Sequence, residues 1–339
     1  MLNQLKSVTA GLIAIALAGP LGVASAQAQG YFEGKTLTMI VPHSNTGKFG
    51  RYAKLLAPAI EKQLNAAAVR VEHRRGAGGL VGTNLIWASK PDGLTFGLTS
   101  GPTLVLAQLA GADGVKFNAT SFTYLGRPTA DDRVIFVAAN SSIKSFQDVI
   151  DLDRPFKVPS QGVDDDFYNT AILASAFGFE VRFITGYEGA GDTNLSIIRG
   201  DTDGRMTSWP SALSTIEAGE GRPIISIGYE RNPDFPDVPT ALELLDDPEK
   251  KMTLRAVINI EALHRTFIAP EGLDPAVTAE LRAAISAVLA DPQVLADAKK
   301  GKLPIRPMDG ATQQKVVAEI YEASSAIPPI LKAAEESIK

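Results

Sequence analysis

No cysteine occurs among the 339 residues, which removes disulfides, thiolate nucleophiles and cysteine-ligated zinc together. Histidine is nearly as scarce: His43, His73 and His264 stand far apart, and no HExxH pairs two of them for zinc catalysis. Basic charge is not in surplus. With 33 Lys and Arg against 38 Asp and Glu, the formal net charge is −5, so no basic face is available for a phosphate backbone and nucleic acid is not an expected partner. Ser100 follows Thr99 and lacks the GxSxG frame of a hydrolase elbow. Beyond the first thirty residues, no run approaches the roughly 20 apolar residues of a membrane span. What remains is an ordinary globular composition, 45% hydrophobic and 21% charged, with length for about two domains.

The first thirty residues read as an export leader. Lys6 supplies the positive start, Ala10 to Val23 an apolar core, and Ala24-Ser25-Ala26 and Ala26-Gln27-Ala28 two A-x-A cleavage sites. The expectation is cleavage near Ala26 or Ala28 and a soluble, periplasmic mature chain without a lipid anchor, since no cysteine follows the apolar core.

The chain is organised around Leu37 to about Leu64. Leu37-Thr38-Met39-Ile40-Val41 has the composition of a buried parallel strand, and Pro42 ends it. The polar loop from His43 to Gly50 empties into a helix marked by Tyr52, Leu55, Leu56, Ile60 and Leu64, which Pro58 should kink or split near Ala57. Backbone N–H groups at a helix start lack internal partners and attract anions. Ligands of open α/β sheets bind at the carboxyl ends of strands, where this loop lies. Two nucleotide motifs fail on spacing. A P-loop ending at Gly47-Lys48 would need glycine at Pro42 and Ser or Thr at Phe49, and GxGxxG starting at Gly76 would need glycine at Val81. The glycines from Gly76 to Gly82 are therefore read as tight turns and close helix packing, and no cofactor is expected.

Further strands are expected at 69–72, 94–98, 122–126, 134–138, 156–158, 181–184, 205–207 and 224–227, alternating with helices in a βαβ pattern with parallel pairing. Ser145 with Asp148 forms a capping box, Asp274-Pro275 and Asp291-Pro292 open helices, and Gly301 closes one. Leu303-Pro304-Ile305 reads as an edge strand, and Val316, Val317, Ile320 and Tyr321 as a closing amphipathic helix. The chain crosses between two α/β units near Arg127–Arg133 and again near Gly228–Arg231. The expected organisation is a leader at 1–28, one lobe from 29–129 plus 229–339, and a second from 130–228. A hinge joins them, with a ligand cleft between.

Several stretches carry a family resemblance over nearly all the mature length: the strand into Val41-Pro42, Arg75-Gly76-Ala77-Gly78-Gly79, Lys90-Pro91-Asp92-Gly93, Pro210-Ser211-Ala212-Leu213, Asp237-Val238-Pro239-Thr240, Ile268-Ala269-Pro270 and Leu289-Ala290-Asp291-Pro292. In order and spacing they resemble the substrate-binding proteins of tripartite tricarboxylate transporters, the Bug family. The resemblance implies a type II periplasmic binding fold whose cleft holds a small carboxylate through backbone amides and waters. It also implies a monomer served by one small and one large membrane subunit. Carried over by position, the pocket loops are Pro42, His43, Ser44, Asn45, Thr46, Gly47 and Lys48 with Thr99, Ser100 and Gly101 in the first lobe. From the second lobe they are Ser160, Gly162, Val163, Asp164, Asp165 and Asp166, then Tyr187, Gly189 and Ala190, then Thr207 and Ser208. The sequence departs from the family where Thr46 and Lys48 replace glycines, Gly50 replaces an acidic residue, and Asp164-Asp165-Asp166 replaces small hydroxyl residues.

Bland alternatives stand beside these sites. Lys48 is either a ligand counter-ion or a solvated lysine at a helix start. The three aspartates either cap the following helix, the reading favoured for at least two of them, or face the cleft toward a cation or an ammonium group; an EF-hand is excluded by spacing. Trp209 reads as core, whereas Tyr187, between glycines, is the better candidate for ligand contact. Three function classes follow: a transport receptor, a sensory binding module, and an enzyme using Asp164 to Asp166, for which no paired base or metal site is visible.

Overall fold

The computed structural model describes residues 30–130, 132–323 and 327–338; the expected leader and its cleavage sites lie outside the described residues. Strand β1 (Thr36–Val41) is followed by helix α1 (Lys48–Gln63), β2 (Ala68–His73), α2 (Leu80–Trp87), β3 (Thr95–Thr99), α3 (Gly101–Ala110) and β4 (Thr123–Arg127). β1 is buried at Leu37, Met39, Ile40 and Val41 because it lies between β2 and β3, parallel to both. α1 is amphipathic and buries Tyr52, Ala53, Leu56 and Ile60; each large apolar side chain so buried contributes roughly 1.5–3 kcal/mol. It runs unbroken through Pro58. Pro58 and Lys54, whose carbonyl loses its partner, are both on the exposed side, where solvent can satisfy it.

The second unit contains β5 (Arg133–Ala138), α4 (Phe146–Ile150), β6 (Phe156–Pro159), α5 (Asp165–Phe177), β7 (Val181–Ile184), α6 (Ala190–Arg199), β8 (Gly204–Ser208), α7 (Trp209–Glu217) and β9 (Gly221–Ile227). Ser145 and Asp148 close the capping box of α4. The strands form a three-stranded antiparallel sheet, β8-β5-β9, and a separate parallel pair, β6-β7.

The tail adds α8 (Ala241–Leu244), α9 (Pro248–Glu261), β10 (Thr266–Ala269), α10 (Pro275–Ala290), α11 (Pro292–Lys300), β11 (Met308–Asp309), α12 (Gly310–Ala323) and α13 (Ile327–Glu336). β10 inserts between β3 and β4, antiparallel to each, giving a six-stranded sheet in the order β11-β4-β10-β3-β1-β2. The expected parallel arrangement therefore holds for β2-β1-β3 and for the separate pair β6-β7, and the other strand pairings are antiparallel. Leu303-Pro304-Ile305 is not a strand. Its carbonyls serve a side chain instead, Tyr52 Oη donating to Pro304 O at 2.6 Å, and the edge strand is β11, beside β4.

The first passage between sheets lies at 128–132, between β4 and β5. The second comes later than Gly228–Arg231. Phe235 and Val238 still pack with Val134, Phe136 and Trp209, and Ser226 N donates to Pro239 O at 3.0 Å. Only with α9 does the chain rejoin elements of the first unit, α3 and α12. One apolar core continues across this side of the molecule, from Ile40 and Leu104 through Leu331 of α13 to Phe167 and Ile135. Among the described residues no helix is long and apolar enough to cross a membrane.

Candidate ligand-binding site

Opposite that shared core, the two units leave a cleft of about 670 Å³ between the start of α1, the start of α6, the first turn of α7 and the end of α11. Helix capping separates these ends from the others. α3, α4, α5, α8, α9, α10 and α11 are each capped by a Ser, Thr or Asp side chain. α1, α6 and α7 have none, their caps being Gly47, Gly189 and Ser208; α2 also starts uncapped, on Gly79. The first amides of α1 and α6 are thus left for whatever occupies the cleft, whereas at α7 Trp209 N donates to Asp132 O at 2.7 Å and Pro210 has no N–H, so that helix offers nothing before Ser211.

Five cations line the same space, Lys48, Arg51, Arg75, Lys300 and Lys302, against three acids, Glu188, Asp192 and Glu217. Several are aimed by backbone. Lys48 Nζ donates to Lys302 O at 3.3 Å and Arg51 Nη2 to Gly301 O at 2.6 Å. Burial, then the neighbouring Arg51, pushes the Lys48 ammonium down to about 8. Two contacts cross between the units at the rim: Arg75 Nη2 donates to Glu188 O at 2.6 Å, and Lys302 pairs with Glu217 at 2.8 Å.

Beneath lies a smaller cavity of about 80 Å³, lined by His43, Phe49, Asp164, Asp165, Asp166, Thr207, Ser208 and His264, with Arg133, Arg205 and Arg265. Its charges are mutually bound. Arg133 pairs with Asp165, with Asp166 at 2.8 Å and with Glu261 at 2.5 Å. Arg205 pairs with Asp166 at 2.5 Å. Asn169 Nδ2 donates to Glu261 at 2.7 Å, and Thr103 Oγ1 donates to Asp165 at 3.0 Å. Burial works against the Arg133 charge, but Glu261 and Asp166 outweigh it and hold its pKa above the usual value. The Asp164 carboxylate caps α5, accepting from Phe167 N at 3.0 Å. Burial and the neighbouring Asp166 push it up to about 7. Burial lowers both histidines to about 3, His43 further by His264 and His264 further by Arg133, so both imidazoles are neutral.

Capping, expected of at least two of the three aspartates, holds for Asp164 alone; Asp165 and Asp166 instead hold arginines at the cleft floor. Of the other candidates, Ser44, Gly47, Lys48 and Ala190 line both cavities, and Thr46 and Gly189 line the outer one. Ser160 lies behind the floor, its hydroxyl donating to Gly162 O at 2.7 Å. Pro42, Asn45, Thr99, Ser100, Gly101, Gly162, Val163 and Tyr187 lie outside both linings. Ser100 is fully buried as the cap of α3, Thr99 contacts Thr83, and the Tyr187 hydroxyl is held by Ser196 at 2.7 Å. Gly162 and Val163 meet the Gly76–Gly79 turn instead. Gly78 has φ +64°, and a Cβ there would lie 2.5 Å from Val163 O. Gly82 likewise packs on Pro42 and the Arg74 carbonyl, so these glycines serve turns and close packing. Trp209 is buried against Phe235, with its ring N–H on Asp234 at 2.8 Å.

Sequence reading missed the rim cations Arg51, Lys300 and Lys302 and the floor arginines Arg133, Arg205 and Arg265. Arg51 could have been found one helical turn after Lys48. Arg133 is the single charge in an otherwise apolar strand and Arg205 the single charge in a wholly buried one, a signal of a buried ion partner. Among the described residues no group of His, Asp or Glu could hold a metal ion.

The chain is 24% identical over 310 residues to BugT of Bordetella pertussis strain Tohama I, covering 88% of this chain and 90% of that one. Its structure matches the periplasmic binding protein BugD with a TM-score of 0.69 at 18% identity, covering 89% and 97% of the two chains. It matches MatC of Rhodopseudomonas palustris with bound malate with a TM-score of 0.70 at 19% identity, covering 88% and 99%. These likenesses give the fold, two α/β lobes of the type II periplasmic binding class. A profile of the tripartite tricarboxylate transporter family receptor, TctC, matches residues 52–332, and the chain belongs to that family of solute-binding receptors.

Proposed function

We propose that the protein captures a small organic carboxylate in the cleft between its lobes and delivers it to the membrane subunits of a tripartite tricarboxylate-type transporter. The observation that carries this is the convergence of two helix starts without side-chain caps, those of α1 and α6, on a cleft whose cations outnumber its acids. Each charge-assisted bond to such an amide contributes about 1.5–3 kcal/mol, so two or three account for most of the roughly −8 kcal/mol of micromolar binding. The malate carried by MatC is a ligand of the same chemistry. The protein acts as a receptor and not as an enzyme, as a monomer, in the periplasm, after a leader of about 28 residues is removed.

We assign 29–129 with most of the chain after α8 to one lobe, and 130–228 with the 229–245 segment to the other. Closure pivots about the shared core at α3, α5, α9 and α13, so the opposite rim is the part that opens. The test is a thermal-shift screen of mono-, di- and tricarboxylates with mass spectrometry of co-purified ligand. A carboxylate at about a hundred times its dissociation constant adds roughly 2.7 kcal/mol to stability. Stabilisation by cationic or neutral solutes alone would overturn the reading.

A further inference from the structure

The floor of the cleft contains a carboxylate already in place. Arg133 on β5 and Arg205 on β8 come from neighbouring antiparallel strands. One carboxylate spans them: Asp166 Oδ1 accepts from Arg133 Nη1 at 2.8 Å and Oδ2 from Arg205 Nη2 at 2.5 Å. Both are charge-assisted hydrogen bonds, the strong class of such contacts, and together they occupy both oxygens of the carboxylate. The arginine side chains are 2% and 3% exposed, whereas that of Asp166 is 19% exposed and lines the floor cavity. Asp166 is therefore the cleft-side member of the network, lying between the arginines and the ligand space.

We propose that Asp166 is the specificity-determining residue of this cleft: it fills the anion seat between Arg133 and Arg205. The ligand then carries one carboxylate, at the helix-start end, and presents an uncharged hydrogen-bonding group to the floor. This rests on the carboxylate reading above. A second ligand carboxylate directed at the floor would meet the Asp166 carboxylate, with Asp165 beside it, and like charges at such range are disfavoured. Of the floor arginines, Arg133 is also bound by Asp165 and Glu261, Arg205 is bound by Asp166, and Arg265 lies over the Phe49 and Tyr52 rings. The neutral partners there are the Thr207 hydroxyl, which accepts from Arg205 Nη2 at 3.0 Å and keeps its proton to donate, and the Ser208 hydroxyl, which is shared with Ser211 at 2.8 Å.

The experiment is calorimetry on the wild type and Asp166→Ala with four- to six-carbon dicarboxylates and the half-amide of each. The wild type should bind the best half-amide at least tenfold more tightly than its dicarboxylate, and Asp166→Ala should erase or reverse that ratio. Acetate at millimolar concentration should raise the melting temperature of Asp166→Ala and leave the wild type unchanged, because the empty seat takes an external carboxylate. Equal binding of both series by the wild type would overturn the proposal, as would an unchanged ratio in a folded Asp166→Ala. If the alanine variant does not fold, the wild-type ratio decides alone. Failure of every carboxylate to bind the wild type would defeat the carboxylate reading itself and this inference with it, whereas binding with the wrong ratio defeats only the inference.

Discussion

Lys302, just beyond the last turn of α11, places its ammonium nitrogen 2.8 Å from the carboxylate of Glu217 at the end of α7, across the rim of the cleft. The side chains are 62% and 50% exposed, so the pair contributes only about 0.2–1 kcal/mol and is screened by salt. On the hinge proposed above, the pair forms as the lobes close and its contribution goes to the closed state. Glu217→Gln should weaken ligand binding by about 1.4- to 5-fold, mostly through faster dissociation. The difference should vanish in 0.5 M salt. Stopped-flow release of ligand at two ionic strengths measures this, and a salt-independent loss would show Glu217 acting in some other way.

Gly78 touches the second lobe by backbone. With φ +64° and Val163 O 2.5 Å from where a Cβ would stand, alanine there is strained twice. Gly78→Ala should lower stability by about 1–2 kcal/mol and ligand affinity by roughly tenfold, since the 162–163 loop can no longer close onto the turn. Denaturant titration and calorimetry read the two effects separately. Unchanged affinity would mean that the contact persists with the lobes open.

Near pH 5 the change of stability with pH should be dominated by three buried groups, and in stronger acid the lowered carboxyls of Asp148, Glu243, Asp297 and Asp309 add to the loss. His43 and His264 titrate at about 3 in the fold against roughly 6.5 when unfolded. Between those values the unfolded chain binds up to two more protons, and stability declines as pH falls. Asp164, at about 7 in the fold against roughly 3.9 unfolded, has the opposite sign: the folded chain binds one more proton, and stability declines as pH rises through that window. At pH 5 these groups leave an excess of about one proton on the unfolded chain, or roughly 1.4 kcal/mol of stability gained per pH unit. Asp164→Asn keeps a capping side chain and removes the opposing group, so its slope should steepen to about 2.7 kcal/mol per unit. Urea midpoints from pH 4.5 to 6 test this, and parallel slopes would contradict the assignment.

Glu261 is buried and joins the lobes, accepting from Arg133 at 2.5 Å and from Asn169 at 2.7 Å. Removing one member of a buried charge network leaves its partner uncompensated. Glu261→Ala should therefore cost about 3–5 kcal/mol. Chemical denaturation gives the number, and a loss below about 1 kcal/mol would show that water or a rearranged Asp166 replaces the carboxylate.

Local chemistry was legible where a residue type dictates its own geometry. The capping box at Ser145 and Asp148 and the Asp-Pro starts of α10 and α11 appear where the sequence placed them. Elements specified by burial were harder. α3 reads Leu-Val-Leu-Ala-Gln-Leu-Ala and is buried around most of its surface, so it has no polar face to set a period. α6 starts in a glycine-rich stretch, without a capping side chain to announce it. β10 could not be placed because its partners Thr99 and Leu98 lie about 170 residues away in sequence. At the site, the Ser44–Lys48 loop was visible as a strand end meeting a helix start. The pairing of Asp166 with Arg133 and Arg205 was not, since no local pattern links positions 33 and 39 residues apart.

The insertion of β10 between β3 and β4 also fixes when the molecule can assemble. Until residue 266 and beyond are available, β3 and β4 present unpaired facing edges, and the first lobe has no continuous sheet. Closing so long a loop is entropically costly before any contact rewards it. Folding of this chain is thus expected to be slow and late, completed only from the full length. Refolding in vitro should be correspondingly slow, with chains truncated before β10 failing to acquire native tryptophan fluorescence. On the export proposed above, that delay would keep the polypeptide unfolded long enough to be threaded through a membrane.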